Sequence, residues 1–118
     1  RLAQRYGESP LGDRLNLELS HALLRNGDYE KAAAAARAIS RSRPGPARSM
    51  ALAVIGTAEH QIARRRMARG DYGPETDQRL EAAAAAFDAF LADDPGLDLG
   101  GAMERRRALV RAELRSRG

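Results

Sequence analysis

Two stretches of the sequence repeat one pattern, GDYEKAAAAARAISRSRP at residues 27–44 and RLEAAAAAFDAFLADDP at residues 79–95. When the alanine run at 32–36 is aligned with residues 83–87, Ile39 aligns with Phe90 and Pro44 with Pro95. Alanine is the best helix former and proline ends a helix, so each stretch predicts an alanine-rich helix that stops at its proline. The sequence therefore contains an internal helical repeat.

A second similarity lies upstream and shows how the two copies differ. The pair LS at 19–20 corresponds to IG at 55–56, and the turn GDY at 27–29 recurs at 70–72. The offsets of 36, 43 and 51 residues place seven extra residues before the second turn and eight after it. Each insertion makes about two helical turns, so we predict the same helix pair with both arms lengthened. The alternative is a disordered loop over residues 73–78.

Apolar periodicity predicts an all-α fold of about five helices and no sheet. The first helix ends before the glycine at 27, and the others cover about 29–42, 47–69, 75–93 and 101–117. The residues predicted to face the core are Leu15, Leu19, Ala22, Leu23 and Asn26 in the first helix, Leu52, Ile55, Ile62 and Met67 in the third, Leu80, Ala83, Ala84, Phe87, Phe90 and Leu91 in the fourth, and Met103, Val110 and Leu114 in the fifth. The alanine runs at 32–36 and 82–86 are interpreted as small-residue seams that bring two helix backbones close together.

Length and composition limit the classes of protein that the chain can belong to. Its 118 residues suffice for one domain, and the absence of cysteine excludes a disulfide scaffold, a thiol nucleophile and a cysteine-ligated metal. No apolar run approaches the ~18 residues that span a membrane. The net charge is +4, and 19 of the 20 basic residues are arginines scattered along the chain. This bias towards arginine and alanine is typical of a GC-rich bacterial genome.

The repeats resemble tetratricopeptide repeats (TPRs), which are helix hairpins of about 34 residues. The resemblance is carried by Leu19, Ser20, the turn at 27–29, Ala32 and Pro44 in the unit 13–46, and by Ile55, Gly56, the turn at 70–72, Ala83, Phe87 and Pro95 in the unit 47–97. Asn16, Leu23, Ile39, Glu59 and Phe90 depart from the usual residue types. Glu59 falls on a nominal core face, so either it pairs with an arginine or the third helix is rotated.

The resemblance implies a right-handed α-solenoid and a fragment of a longer bacterial TPR array. Residues 1–12 resemble the tail of a preceding repeat helix followed by a link, and residues 98–118 resemble the first helix of a further repeat or a capping helix. Repeat arrays need polar caps, because each hairpin buries its apolar face only against its neighbours. Since Leu2 and Tyr6 at one end and the fifth helix at the other lack partners, we expect self-association through the end helices.

In this repeat class the first helix of each hairpin lines the concave side, which implies a groove for a partner protein. The residues predicted to line this groove are Arg14, Leu17, His21, Leu24 and Arg25 from the first helix and Met50, Ala53, Thr57, His60, Gln61 and Arg64 from the third. Its apolar floor and basic rims suit an extended or helical peptide that bears carboxylates. The lysine and asparagine set with which chaperone-binding relatives hold a C-terminal carboxylate is missing.

Catalytic and cofactor chemistry has no support in the sequence. None of the serines lies in a Gly-x-Ser-x-Gly motif, no phosphate-binding Gly-x4-Gly-Lys motif occurs, and His21 and His60 have no metal-ligand spacing. We therefore expect no enzyme activity, cofactor, metal or small-molecule substrate. The arginine clusters at 64–69 and 105–111 could contact phosphates, which leaves nucleic-acid binding as an alternative. This alternative is weaker, because consecutive arginines on a helix point ~100° apart and do not form one flat basic patch.

The expected function is a protein-binding scaffold within a bacterial multi-protein assembly, such as an envelope or a secretion and export complex. The alternative is a structural spacer or self-association module, and composition does not separate the two. The compartment is not determined by the sequence. The similarity of residues 1–12 to links in envelope proteins of this class favours the periplasm or envelope, with the cytoplasm as the alternative.

Overall fold

The computed structural model describes residues 10–41 and 45–116, and all the regular elements in these ranges are helical. They are α1 (Pro10–Arg25), α2 (Tyr29–Ser40), α3 (Pro46–Ala68), α4 (Pro74–Asp93), two single 3-10 turns (Pro95–Leu97 and Leu99–Gly101) and α5 (Ala102–Arg115). The prediction of an all-α fold with five helices is confirmed for the described residues. Helix α1 begins at Pro10, inside the stretch assigned to a link. The predictions for Leu2, Tyr6 and Pro44 lie outside the described residues.

The two GDY turns end α1 and α3 with the same hydrogen bonds. Gly27 and Gly70 have φ angles of +81° and +82°, a left-handed conformation that residues with a Cβ rarely adopt. The N–H of Asp28 donates to the carbonyl of Leu23, and the N–H of Asp71 donates to that of Arg66, each at 2.9 Å. This is the Schellman pattern, which satisfies carbonyls that a helix end would otherwise leave unpaired. Both turns therefore reverse the chain by the same local mechanism.

The added residues of the second helix pair are helical. Helix α3 has 23 residues against 16 in α1, and α4 has 20 against 12 in α2, which gives excesses of seven and eight. The alternative of a disordered loop over 73–78 is wrong, because α4 begins at Pro74. Proline suits the first turn of a helix, where its missing N–H has no intrahelical partner to lose.

Helix α3 packs against the other four described helices, chiefly against α2 and α4. One group of buried residues joins α2, α3 and α4, mostly through alanines: Ala32, Ala33, Ala36, Ile39, Ala51, Val54, Ile55, Ala58 and Ala86. A second group joins α3, α4 and α5: Ala63, Leu80, Ala83, Phe87 and Val110. The predicted core positions Leu52, Ile55, Ile62, Leu80, Ala83, Phe87, Phe90 and Val110 are buried. The interpretation of the alanine runs as packing seams is confirmed at Ala32, Ala33, Ala36, Ala83 and Ala86.

The core face predicted for α1 is wrong. Leu15 and Leu19 are 54% and 51% exposed, and Ala22 and Asn26 are also exposed. Of the predicted set, only Leu23 packs against the core. Ser20 is buried instead, and its hydroxyl donates to the Leu17 carbonyl at 2.8 Å.

The reason lies in the composition of α1. The helix carries leucines on several overlapping faces, at 11, 15, 17, 19, 23 and 24, so periodicity alone does not select one face. Packing against α2 and α3 buries the face that contains the small Ser20 together with Leu17, Leu23 and Leu24.

Gly56 lets α3 approach α4 at the ring of Phe87. Phe87 is fully buried, and a Cβ built at position 56 would lie 2.5 Å from its Cε1 and 2.7 Å from its Cδ1. Real Cβ atoms do not come so close to carbon, so any larger residue at 56 forces either the ring or the helix to move. The glycine is therefore required by packing, since it lies inside a helix where glycine is otherwise unfavourable.

Glu59 of α3 is a buried charge, for which the sequence allowed either pairing with an arginine or a rotation of the helix. It is only 2% exposed. Arg37 of α2 donates to Oε2 of Glu59, and Arg79 of α4 donates to Oε1 at 2.8 Å. The second amino group of Arg79 donates to both carboxylate oxygens of Glu30 at 3.0 and 2.9 Å. Glu59 thus pairs with arginines from the two helices that flank α3.

The two carboxylates that Arg79 contacts change the pKa of its guanidinium. Burial, the largest single influence, lowers the pKa of Arg79, but the hydrogen bond and charge of Glu59 and then those of Glu30 outweigh it. The net effect raises the pKa of Arg79 above its ordinary value, so this guanidinium stays charged and Glu59 keeps its counter-ion.

We expect the substitution G56A to lower the free energy of unfolding by about 1–3 kcal/mol, the range for overpacked cores, despite the better helix propensity of alanine. Urea denaturation measures the change. The control is G96A, because a Cβ at Gly96 meets no atom within 4 Å. Trimming the facing ring with F87L should cost less stability in the G56A background than in the wild type. Additive effects would contradict the close approach.

We expect E59A to lower the free energy of unfolding by about 2–3 kcal/mol, because it leaves two arginines without their shared carboxylate. The effect falls near the low end for broken buried pairs, since the side chains of Arg37 and Arg79 are 39% and 23% exposed and can reach water. The control E75A removes an exposed partner of Arg66 and should cost less than about 1 kcal/mol. Equal losses in the two variants would contradict the role given to Glu59.

Candidate functional site

A groove of about 330 Å³ opens between the first helices and the segment that links α4 to α5. The groove is lined by residues of four helices and of the linking segment. They are His21 of α1, Met50 and Ala53 of α3, Phe90 of α4, Leu97, Asp98 and Leu99 of the linking segment, and Ala102 and Met103 of α5. The apolar side chains outnumber the two titratable ones. The groove is therefore an apolar surface bordered by a few polar groups, as is usual for sites that bind part of another molecule.

The linking segment is held in place by Asp98. Its two carboxylate oxygens accept the backbone N–H groups of Met103 and Glu104 at 2.8 and 3.0 Å, at the first turn of α5. A carboxylate satisfies N–H groups that have no partner within the helix and is favoured by the helix dipole. Gly100 and Gly101, with φ angles of +80° and +71°, turn the chain into α5. This geometry leaves Leu99 at the groove 88% exposed.

Three of the predicted groove residues line the groove, namely His21, Met50 and Ala53. Thr57 and Gln61 continue the same face of α3 and are half-buried, while Arg14, Arg25 and Arg64 are exposed. Leu17 and Leu24 pack partly against the core, because α1 turns a different face inward than the sequence indicated. Neither leucine is among the residues that line the groove.

His60 is also not on the groove surface. It is fully buried, because α5 lies over this part of α3. Its Nε2 lies 2.8 Å from Oε1 of Glu113, and its Nδ1 lies 3.2 Å from Nη1 of Arg106. A guanidinium only donates, so Nδ1 accepts from Arg106, and Nε2 carries the proton that it donates to Glu113. His60 is thus a neutral imidazole held between two residues of α5.

The surroundings of His60 keep it neutral. Burial is the largest influence and lowers the pKa of His60 below its ordinary value of 6.5. The hydrogen bond and charge of Glu113 act in the opposite direction, while the charges of Arg106 and Arg64 lower the pKa further. Burial and the neighbouring Arg64 also lower the pKa of Arg106. A second proton on His60 would therefore enter an environment that disfavours positive charge.

The arginines fall into two groups. Arg48 pairs with Asp93, Arg66 with Asp71 and Glu75, and Arg107 and Arg111 share Asp88, at distances between 2.6 and 3.2 Å. Among the described residues, Arg14, Arg25 and Arg64 form no ion pair with another described residue. These three are the arginines predicted to border the groove, so part of the unpaired positive charge lies on the first helices of the two pairs. Among the described residues, the other basic side chains without an ion pair are Lys31, Arg41, Arg65, Arg69, Arg105, Arg106 and Arg115.

A second cleft, of about 340 Å³, lies beside the first GDY turn and is lined by Gly27, Asp28, Tyr29, Glu30, Lys31, Ile62, Arg65, Arg66 and Arg69. Arg65 lies over the ring of Tyr29, 4.3 Å from its centroid, and donates to the Gly27 carbonyl at 3.1 Å. Arg66 forms ion pairs with the carboxylates of Asp71 and Glu75. Two of the four basic residues here, Arg65 and Arg66, have partners within the chain, and charged residues make up most of the lining. This cleft is therefore a weaker candidate for an apolar peptide site than the groove.

The linking segment of the groove was missed by the sequence analysis. Leu97 and Leu99 lie between two helices, where a solvated loop is usually polar, and the run GLDLGG contains the signal as two leucines among turn residues. Met103 was assigned to the core, and it packs there while also lining the groove. Phe90, also predicted as core, forms part of the groove floor.

None of the helices in residues 10–41 and 45–116 is long and apolar enough to cross a membrane. The same ranges contain no group of three or more histidine, cysteine, aspartate or glutamate side chains arranged to hold a metal ion.

The comparisons with known proteins give no family to which the chain can be assigned. No protein-family model matches the sequence, and neither a curated protein nor a solved structure shows a significant match.

Proposed function

We propose that the chain is a non-catalytic, TPR-like scaffold whose groove binds a peptide segment of a partner protein. The observation that carries the proposal is the groove itself, with its apolar floor and the 88% exposed Leu99. A leucine held in water by a capped, ordered segment is unfavourable in the free protein, and burial by a partner would recover that free energy.

Two features support the TPR-like part of the proposal. The turns at Gly27 and Gly70 share one Schellman hydrogen-bond pattern. Alanines at equivalent positions of α2 and α4, Ala32 and Ala83, are both fully buried. Repetition of both the turn and the packing residue is what a tandem helix-hairpin repeat requires.

The charge distribution favours an acidic partner. The exposed Arg14, Arg25 and Arg64, which were predicted to border the groove, have no counter-ion among the described residues. Other arginines are neutralised by carboxylates of the chain, namely Arg37, Arg48, Arg66, Arg79, Arg107 and Arg111. A peptide with apolar side chains and flanking carboxylates would fill the groove and supply the missing negative charges. Nucleic-acid binding has less support, because Arg66, Arg107 and Arg111 of the two arginine clusters form internal ion pairs.

The test starts with peptides selected from a random displayed library on the immobilised chain, and the enriched peptide is then synthesised as the probe. We expect it to contain apolar residues and Asp or Glu. We expect L99E and R64E each to weaken its binding at least about tenfold, equivalent to ~1.4 kcal/mol, as measured by fluorescence anisotropy. Leu99 and Arg64 are exposed, so neither substitution should unfold the chain.

The matched controls place the same changes elsewhere. L19E introduces a charge at an exposed leucine outside the groove, and R41E reverses an exposed arginine at the end of α2. Both should leave the affinity within about twofold of the wild type, a change of ~0.4 kcal/mol. If no peptide is enriched, or if all four variants bind alike, the groove is not a binding site and the spacer interpretation is favoured.

A further inference from the structure

The contact between His60, Arg106 and Glu113, here called the His60 contact, joins α5 to the central helix α3. Helix α5 packs mainly on α4 and only slightly on α3, so these hydrogen bonds are a large part of its attachment to α3. Ala102 and Met103 line the groove, while Arg106 lies one turn further along α5. Residues three and four positions apart share a helix face. The same face of α5 therefore forms the groove wall and holds His60.

The geometry of the His60 contact depends on a neutral imidazole. Nδ1 of His60 accepts from Arg106 at 3.2 Å, and a proton added to Nδ1 would turn the acceptor into a donor that faces another donor. The hydrogen bond would be lost, and a second cation would lie beside the Arg106 guanidinium. Glu113 contacts the other nitrogen and would partly compensate the new charge.

The charged groups around His60 come from α3 and α5. Arg64 is one turn along α3, and Arg106 and Glu113 belong to α5. Among the described residues of α2 and α4, Arg37 and Arg79 are directed to Glu59 and not to His60. No described charged group of α1 bonds to His60. Two cations therefore oppose one carboxylate around an imidazole ring that is itself fully buried.

We propose that proton uptake by His60 loosens α5 from α3 and thereby opens the wall of the groove, so that the groove holds its shape only at neutral and higher pH. The first part of the proposal, the loosening of α5 from α3, does not depend on any binding partner. The consequence for binding rests on the proposed function of the groove.

The direction of the pH dependence follows from linkage. An undocked His60 exposed to water binds its proton near its ordinary pKa of ~6.5. In the docked state burial lowers that pKa, Glu113 raises it, and the charges of Arg106 and Arg64 lower it, so that the net pKa of His60 is lowered. Between the two values the open state binds more protons than the docked state, so docking weakens as the pH falls. The equilibrium constant for opening rises by up to about tenfold for each pH unit in this window.

Amide hydrogen exchange followed by NMR tests the first part of the proposal. Protection factors, which remove the pH dependence of intrinsic exchange, are compared for residues 107–112 of α5 and residues 33–36 of α2 across the range below pH ~6.5. In the wild type we expect protection in α5 to fall by up to about tenfold per pH unit, while that in α2 stays constant. H60Q keeps a donor for Glu113 without a titrating ring and should remove the fall.

Two further variants separate the His60 contact from a general effect of pH. R106Q keeps a donor towards Nδ1 without its charge, so we expect a smaller fall than in the wild type. H21Q removes the other histidine of the chain and should behave as the wild type. A constant wild-type α5, an equal fall in H60Q, or a parallel fall in α2 and α5 would each overturn the proposal.

Binding of the selected peptide at pH 7.5 and at pH 5.5 tests the consequence for the groove. Because His21 lines the groove, the comparison is made between H21Q and the double variant H21Q/H60Q. We expect the Kd to rise by up to about tenfold at the lower pH in H21Q and to stay constant in the double variant. If the peptide fails to bind at either pH, the proposed function fails while the exchange result still decides the role of His60. Equal affinities at both pH values, together with a loosened α5, would overturn the link between α5 and the groove.

Discussion

The carboxylate of Glu59 lies almost out of reach of water between Arg37 of α2 and Arg79 of α4, and most of the arrangement follows from this position. A buried carboxylate is stable only if its hydrogen-bonding capacity is filled, so both flanking helices must deliver an arginine to the same point of α3. Arg79 also binds Glu30, which ties α4 to the beginning of α2. The pairing thus restricts the register of three helices at once, whereas alanine seams alone would tolerate sliding.

Gly56 and the alanines set the distance between the same helices. Phe87 lies directly against the backbone at Gly56, and Ala51, Ala58 and Ala63 line other parts of α3 that are fully buried. Small residues shorten the separation between helices and thereby bring the side chains of Arg37 and Arg79 within reach of Glu59. Close packing and the buried charge are therefore two consequences of one short interhelical distance, and neither would be stable at a longer one.

The groove is a consequence of how α5 is attached. Val110 is fully buried against the α3–α4 pair, and Asp98 fixes the first turn of the helix. Since α5 begins immediately after the linking segment, these contacts hold Leu97 and Leu99 at the rim opposite Met50. The His60 contact lies on the same face of α5, further along the helix than the groove residues Ala102 and Met103. Helix α5 therefore covers His60, which explains why a residue predicted on the groove surface is instead buried.

The helices of this chain differ in how far their own residues specify their boundaries and buried faces. The helix boundaries near Gly27, Gly70, Pro46 and Pro74 were predictable, because glycine and proline act through their own backbone conformation. The core faces of α3 and α4 were predictable where large apolar residues recur at helical spacing. The face of α1 was not, since several of its faces carry leucine, and the buried choice depends on which neighbours it meets.

Local propensity and short-range spacing are enough to predict the number of helices, the two GDY turns, the lengthened second pair and the buried alanine seams. Three of the groove residues can also be predicted from the sequence, namely His21, Met50 and Ala53. Packing between the helices is needed to establish that Glu59 binds two arginines, that His60 lies beneath α5 and that Leu99 borders the groove. Each of these depends on residues far apart in the chain, such as His60 and Glu113, whose distance is set by packing and not by spacing along one helix.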